Sequence, residues 1–489
     1  MGLIEQTLSL PRLIYMTMVS RFAKIPVVLA VAMSAFGVQA DEKWTIHEWG
    51  TFTSLQDENG EAVGGINTDD EPVPAFVHRL ADFLLLRLTE VPNSFFQGAP
   101  SCHPDVTMRL ETPVIYFHPP AGQTNLSEAD VKVTFRGGWL SEYYPNARPD
   151  APEFTEDMSS PSLRRLFQFG ALRADSRSVL TWKDLKIGGD WALANTSAHV
   201  WTSPRTVAAS KVRAAGGEAE KFLFYRGVAH INAPLKISRD TGTDQLLFRS
   251  QIGVLPTDQP FVISRLWLVD IHPQGNVAFR TLPPVTLRPG SGKFLEKTDA
   301  TFKPTEFSSG NLDKLKSSLQ DALVAEGLFA DEAQALLNTW ELSYFKSAGI
   351  RVFFLVPRAW TDYYLPLEIS LPADINRVMV GRIELVTPEQ RKLLQSIAQT
   401  TPREITQEFG TMWTNFYAGP AVNSQWNQLV SGGKSLASAI PVPKSYQTYL
   451  DLGRFRNALI LDDARRHPAL TNFIVTYHLQ AYQVEAFAN

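Results

Sequence analysis

WTIHEWGTFTSLQ, residues 44–56, alternates large and polar side chains and is rich in aromatics and threonine, which reads as a β-strand. Asn59-Gly60 follows, two residues suited to the positive φ of a tight hairpin, and Glu61 to Ile66 returns along it. Pro72 and Pro74 end the extended stretch. Ala75 to Leu88 carries Phe76, Val77, Leu80, Phe83, Leu84 and Leu88 at helical spacing. Beyond Val106 the pattern predicts further strands: Met108 to Phe117, Val131 to Phe135, Ser178 to Ile187, Glu220 to Ile231, Leu246 to Gln251, Val262 to Ile271 and Val277 to Leu282. They are short and mostly separated by Gly, Pro or Asp turns, the pattern of a sandwich or barrel rather than of repeating βαβ units.

The character changes near Ser308. Leu312, Leu315, Leu319, Ala322 and Leu323 lie on one helical face that stops at Gly327. A second helix, Asp331 to Phe345, completes an αα-hairpin. Strands at Ile350 to Val356 and Arg377 to Val386 precede Thr387-Pro388-Glu389-Gln390 and Thr401-Pro402-Arg403-Glu404, two helix-start signatures with a cap, a proline and a reaching side chain. The remainder, through Tyr446 to Tyr482, reads mainly as helix. The expected fold class is α+β: an antiparallel β-rich, sandwich-like body over 41–285, with the αα-hairpin, further strands and C-terminal helices of 305–489 packed on it as one integrated unit. The stretch Pro283 to Pro304, rich in Pro, Gly and Lys, is the nearest thing to a boundary.

Ahead of the first strand, Arg21 and Lys24 precede an uncharged apolar run, Ile25 to Val38, and Val38-Gln39-Ala40 places small residues at the positions a signal peptidase reads before Asp41. At about 14 residues the run is short for a membrane span, which needs about 20. The expectation is a signal peptide over 1–40 and a mature protein that is periplasmic or secreted, with no membrane anchor. Met16 and Met18 are alternative starts to Met1. Cys102 is the one cysteine in 489 residues, so no intramolecular disulfide can form and the core must hold the fold. Net charge is -4 and no basic stripe is visible, which argues against a nucleic-acid partner.

The sharpest cluster of chemistry-bearing residues is His47-Glu48 with Asp69, Asp70 and Glu71, which the hairpin could bring together. An imidazole with several carboxylates suits a divalent metal or an acid–base pair, with His47, Glu48, Asp69 and Asp70 as metal ligands and Glu48 and Asp70 as catalytic groups. Strand alternation lets only one of His47 and Glu48 face a given pocket. Ile46 and Phe52 share the parity of Glu48, so its face reads as apolar, and a buried Glu48 needs an arginine such as Arg79 or Arg109. His78, on the following helix, and Cys102-His103, in a Pro-flanked loop, are further candidates with structural alternatives. Trp139, Tyr143 and Trp191 are candidate platforms for a glycan, set against a core-filling role.

Other motifs fail on inspection. Gly290-Ser291-Gly292-Lys293 and Gly432-Gly433-Lys434-Ser435 lack the leading glycine of a phosphate loop. Ser343 to Lys346 and Ser431 to Lys434 match Ser-x-x-Lys but no Lys-Thr-Gly follows. Asp240-Thr241-Gly242 and Asp57 to Gly60 read as turns.

His47-Glu48-Trp49-Gly50-Thr51-Phe52-Thr53 resembles the opening of a group of exported bacterial proteins of unknown function. Glu111 to Phe117, Phe222 to Gly227 and Val378 to Arg382 resemble the same group, across most of the mature chain. The resemblance implies one integrated unit and brings no activity with it. Two functions stay open: a non-catalytic extracytoplasmic binding or scaffold protein for a glycan or protein ligand, needing no cofactor, or a hydrolase using a divalent metal or paired carboxylates among His47, Glu48, Asp69, Asp70, Glu71 and His103.

Overall fold

Burial of the opening strand on both faces determines the architecture: Trp44 to Gln56 forms the predicted strand and every residue but Thr45 is buried. A computed structural model describes residues 43–68, 72–80, 95–151, 169–251, 260–288, 294–418 and 442–482. Trp44–Gln56 pairs in parallel with Ala373–Leu385 and antiparallel with Met108–His118. These are central strands of a nine-stranded sheet. Beyond Ala373–Leu385 lie Gly349–Leu355, Leu266–Ile271 and Val277–Leu282; beyond Met108–His118 lie Leu223–Ala229, Gly138–Tyr144 and the edge pair His78–Arg79. All neighbours except the first pair are antiparallel. Strand Met108–His118 is buried at every residue, as a strand covered on both faces must be.

One face carries Trp44, Ile46, Phe52, Ile115, Phe117, Leu268, Val352 and Ile383 and packs with Val131, Val133, Leu180 and Trp182 of a second, six-stranded antiparallel sheet. The other carries Trp49, Val114, Tyr116, Trp267, Phe353 and Val380 and packs with Leu315, Leu319, Leu323, Leu336 and Leu337 of the αα-hairpin. Leu55, Val386 and Val228 meet Leu394, Tyr449, Leu459 and Phe473 of the C-terminal helices. The molecule is the expected α+β assembly, and because Ala373–Leu385 sits beside the first strand, the body and the C-terminal part share one sheet.

Several local expectations change. Of the helix expected over Ala75 to Leu88, residues 75–77 form a turn and His78–Arg79 an edge strand, and residues 81–88 lie outside the described residues. Phe76 packs edge-on against Trp201 and tilted on Tyr144, so tertiary contact overrides its helical spacing. Of the predicted Asn59-Gly60 pair only Gly60 has positive φ (77°), and the return is a single bridge, Gln56 to Ala62. Val262 to Ile271 is two strands, Phe261–Ile263 and Leu266–Ile271, and the first pairs with Val285–Leu287. The Pro283 to Pro304 stretch contributes the strands Val285–Leu287 and Phe294–Asp299. The second hairpin helix ends at Thr339 and continues as a π-helical turn, Glu341–Lys346. The signal-peptide expectation for 1–40 lies outside the described residues.

Candidate metal centre

Alternation along the opening strand sends His47 and Glu48 to opposite faces. Glu48, fully buried, lies in register with Arg377 of the parallel neighbour. Arg377 Nε donates to Glu48 Oε2, Arg377 Nη1 donates to Asp362 Oδ1 at 2.8 Å, and the Tyr225 hydroxyl donates to Glu48 Oε1. Burial would make Arg377 easier to deprotonate, but Glu48 and the neighbouring Tyr225 and Asp362 outweigh it and hold the guanidinium charged. Burial, then the Glu48 charge, pushes the Tyr225 phenol well above its ordinary value. Glu48 is therefore the structural ion pair that its apolar face implied, with Arg377 in place of Arg79 or Arg109. Those two arginines serve Glu142 and Glu111. Arg377 holds one carboxylate oxygen and the Tyr225 hydroxyl the other, so Glu48 is bound into the fold on the face away from His47.

His47 faces the αα-hairpin. His118 Nε2 and His47 Nδ1 converge on one carboxylate, Glu332, at 2.9 Å from Oε1 and 2.6 Å from Oε2 respectively. Thr45 opposes His118 in the antiparallel register and His47 opposes Tyr116, so the two histidines are diagonal neighbours on one face. Glu332 is in the first turn of helix Ala330–Thr339, and its Oε2 accepts the Phe329 backbone N–H at 2.7 Å. Phe329 lies over both imidazoles, with ring centroids 4.6 Å from His47 and 4.7 Å from His118. His47 is 4% exposed, His118 8% and Glu332 0%. Burial pushes the Glu332 carboxyl up, but hydrogen bonds from His118 and His47 outweigh it and hold it below the usual range.

One ligand atom from each of His47, His118 and Glu332 lies within 4.8 Å of the others. Ligands about 2.1 Å from a tetrahedral metal stand about 3.4 Å apart, so small side-chain shifts would close this group around an ion. Two imidazole nitrogens and a carboxylate oxygen suit zinc or another late divalent transition metal. Of the sequence candidates, His47 belongs to this group and Glu48 does not. Asp69, Asp70 and Glu71 lie outside the described residues. His118 and Glu332 were missed because they stand 71 (118 − 47) and 285 residues from His47 in the chain. The one signal was that His118 stands one residue past the predicted strand Met108 to Phe117, with the parity of Tyr116.

The other candidates have structural partners. His78 stacks on Tyr143 and reaches Glu218 at 2.9 Å. His103 is buried between Trp139 and Tyr482, its Nε2 3.0 Å from the Gly170 carbonyl. Cys102 is buried, and burial pushes its thiol above the ordinary value. Trp139 and Tyr143 are core residues, 0% and 3% exposed, because the strand that carries them is covered on both faces. Neither offers a ring to a ligand. Trp191 is half-buried, folded onto Gly189, with the Arg213 guanidinium 5.9 Å from its ring.

No family model matches the chain, and no curated relative matches it. Among solved structures it is similar to the zebrafish (Danio rerio) Fcho1 Mu homology domain with bound Eps15 peptide, at 9% identity and a TM-score of 0.26, covering 70% of this chain and 97% of that one. It is also similar to the yeast delta-COP-I mu-homology domain complexed with a Dsl1 WxWxV peptide, at 8% identity and a TM-score of 0.22, covering 70% of this chain and 96% of that one. At those scores neither likeness carries an argument about this chain.

Proposed function

We propose that this protein is an exported, non-catalytic binding protein in which a divalent metal held by His47, His118 and Glu332 fastens the αα-hairpin to the central sheet. The observation that carries the reading is the convergence of three ligand atoms from two strands and one helix within 4.8 Å in a buried place. A structural metal site is closed, whereas a catalytic one keeps a position open to substrate. Here three protein groups would leave a fourth position to water, and the Phe329 ring packed on both imidazoles restricts access to it. A glycan or protein ligand would bind elsewhere on the surface. A cavity of about 450 Å³ lined by His230, Asn232, Gln251, Tyr363 and Tyr364 combines two rings with amide and imidazole groups, the mixture that suits a sugar.

The hydrolase alternative keeps one supporting observation: two nitrogens and one carboxylate leave coordination positions for water. Purified chain loaded with Co²⁺ separates the readings. A closed site gives a visible absorption band of one stoichiometric ion that added small anions leave unchanged; an open site exchanges its water and the band shifts. Absence of any band, with no zinc by elemental analysis, would leave Glu332 as a hydrogen-bond acceptor for two histidines and overturn the metal reading.

A further inference from the structure

The cavity lined by His230, Asn232, Gln251, Tyr363 and Tyr364 has walls that the fold holds in place. Gln251 stands one residue past strand Gln245–Ser250, and its backbone N–H donates to the Pro234 carbonyl at 2.9 Å. The His230 backbone N–H donates to the Gly137 carbonyl at 2.8 Å. Tyr363 and Tyr364 end helix Arg358–Tyr364, which Trp360, 2% exposed, anchors in the core. The Tyr364 ring packs on Trp360 with centroids 4.6 Å apart. The two phenol rings are 4.9 Å apart at 86° to one another, so together they form a corner. The Arg136 guanidinium carbon lies 4.8 Å from the Tyr363 ring centroid and steadies that ring without lining the cavity.

Gln251 Oε1 is buried and has no hydrogen-bond partner among the described residues. Buried acceptors are ordinarily paired, so one left bare on a cavity-lining residue points to a donor that the fold does not supply. His230 adds a second acceptor. Its Nδ1 lies 2.8 Å from the Asp105 carbonyl, which can only accept, so Nδ1 carries the hydrogen and Nε2 of the neutral ring offers a lone pair. The Tyr363 and Tyr364 hydroxyls can donate or accept, and no hydrogen bond among the described residues takes either. Asn232, exposed, brings an amide to the rim. Among the described residues no aspartate, glutamate, lysine or arginine lines the cavity. Uncharged acceptors and donors beside two phenol rings match a ligand that carries hydroxyls and apolar C–H faces at once and has no charge to neutralise. The volume, about 450 Å³, lies in the range of small-molecule sites.

We propose that this cavity is the ligand site and takes a neutral saccharide, whose hydroxyls donate to Gln251 Oε1 and His230 Nε2 while its ring sits against the Tyr363–Tyr364 corner. An acidic saccharide would bring its carboxylate to two acceptors and no lining cation. The assignment deepens the binding-protein reading and rests on it.

The test is titration of the purified chain with maltotriose, cellotriose, tri-N-acetylchitotriose and, as the acidic member, trigalacturonate, followed by saturation-transfer NMR. The expected result is saturable binding of at least one neutral trisaccharide in preference to the acidic one. Gln251→Leu should weaken that binding about tenfold, the loss of one buried hydrogen bond, while its melting temperature holds or rises, because the bare acceptor has no partner in the fold to lose. Ala174→Leu, which adds bulk at an exposed lining position and leaves the core untouched, should weaken it as well. The proposal is overturned if no neutral trisaccharide binds saturably, if trigalacturonate binds most tightly, or if Gln251→Leu and Ala174→Leu bind as wild type does. A fall in the melting temperature of Gln251→Leu would return that acceptor to the fold and overturn its role. Zinc titration of the same protein keeps the two failures apart: zinc bound without sugar removes this assignment alone, and sugar bound without zinc removes the metal and leaves the cavity its ligand.

Discussion

His47 and Glu48 are consecutive residues on one strand, and they do opposite things. Glu48 faces the sheet-covered side, where Arg377 and Tyr225 each hold one of its carboxylate oxygens. His47 faces the helix-covered side, where it shares a carboxylate with a second histidine under a phenyl ring. The contrast shows that a motif's chemistry is decided by strand parity and by what arrives on each face. A group whose partner is fixed by backbone register becomes part of the fold. A group whose partner arrives on a helix can be assembled into a site.

The largest effect should come from unbalancing the Glu48 side. Glu48→Gln leaves the Arg377 charge buried, and a loss of about 3–5 kcal/mol in urea unfolding is expected. Adding Arg377→Met to that variant should restore part of the loss; a double variant no better than the single would show that the pair is not coupled. On the His47 side, Glu332→Gln should cost less, about 1–3 kcal/mol in metal-free protein, because two imidazoles lose a charged acceptor yet keep an amide. A larger loss than for Glu48→Gln would invert the comparison.

A third case has a definite pH sign. Burial would raise the Glu384 carboxyl, but Arg351, Arg382 and Arg454 outweigh it and hold it low. The folded-state value is depressed, so its contribution is full above the ordinary glutamate value of about 4.3 and is lost as pH falls through the lower folded value. Acid unfolding of Glu384→Gln should therefore show a shallower dependence of stability on pH below about 4 than wild type. The smallest effect is expected at Trp191, half-buried on a loop: Trp191→Ala should change stability by less than about 1 kcal/mol, whereas Trp139→Ala in the core should cost about 3–5.

Strand alternation and helix caps were readable without a structure. Val277–Leu282 matches its prediction residue for residue, and Thr387 caps its helix through Gln390 as its side chain indicates. The burial of Glu48 followed from Ile46 and Phe52. Its partner did not, because Arg377 reaches it through a parallel pairing across more than 300 residues (separation 329), which no local pattern encodes. Glu332 occupies the first turn of its helix, an ordinary place for an acid, and it accepts the Phe329 N–H. Only the docking of the hairpin on the sheet gives it two histidines as well. Trp139 and Tyr143 read more readily as core than as an exposed platform, and the strand that carries them is buried at every residue.

Isothermal titration of Zn²⁺ into metal-free wild type, Glu332→Gln and Glu48→Gln proteins, each checked for folding by circular dichroism, tests the central claim most directly. The account predicts one equivalent bound by wild type and by folded Glu48→Gln, with affinity reduced at least tenfold in Glu332→Gln. Equal zinc affinity in wild type and Glu332→Gln, or loss of binding in a folded Glu48→Gln alone, would contradict it.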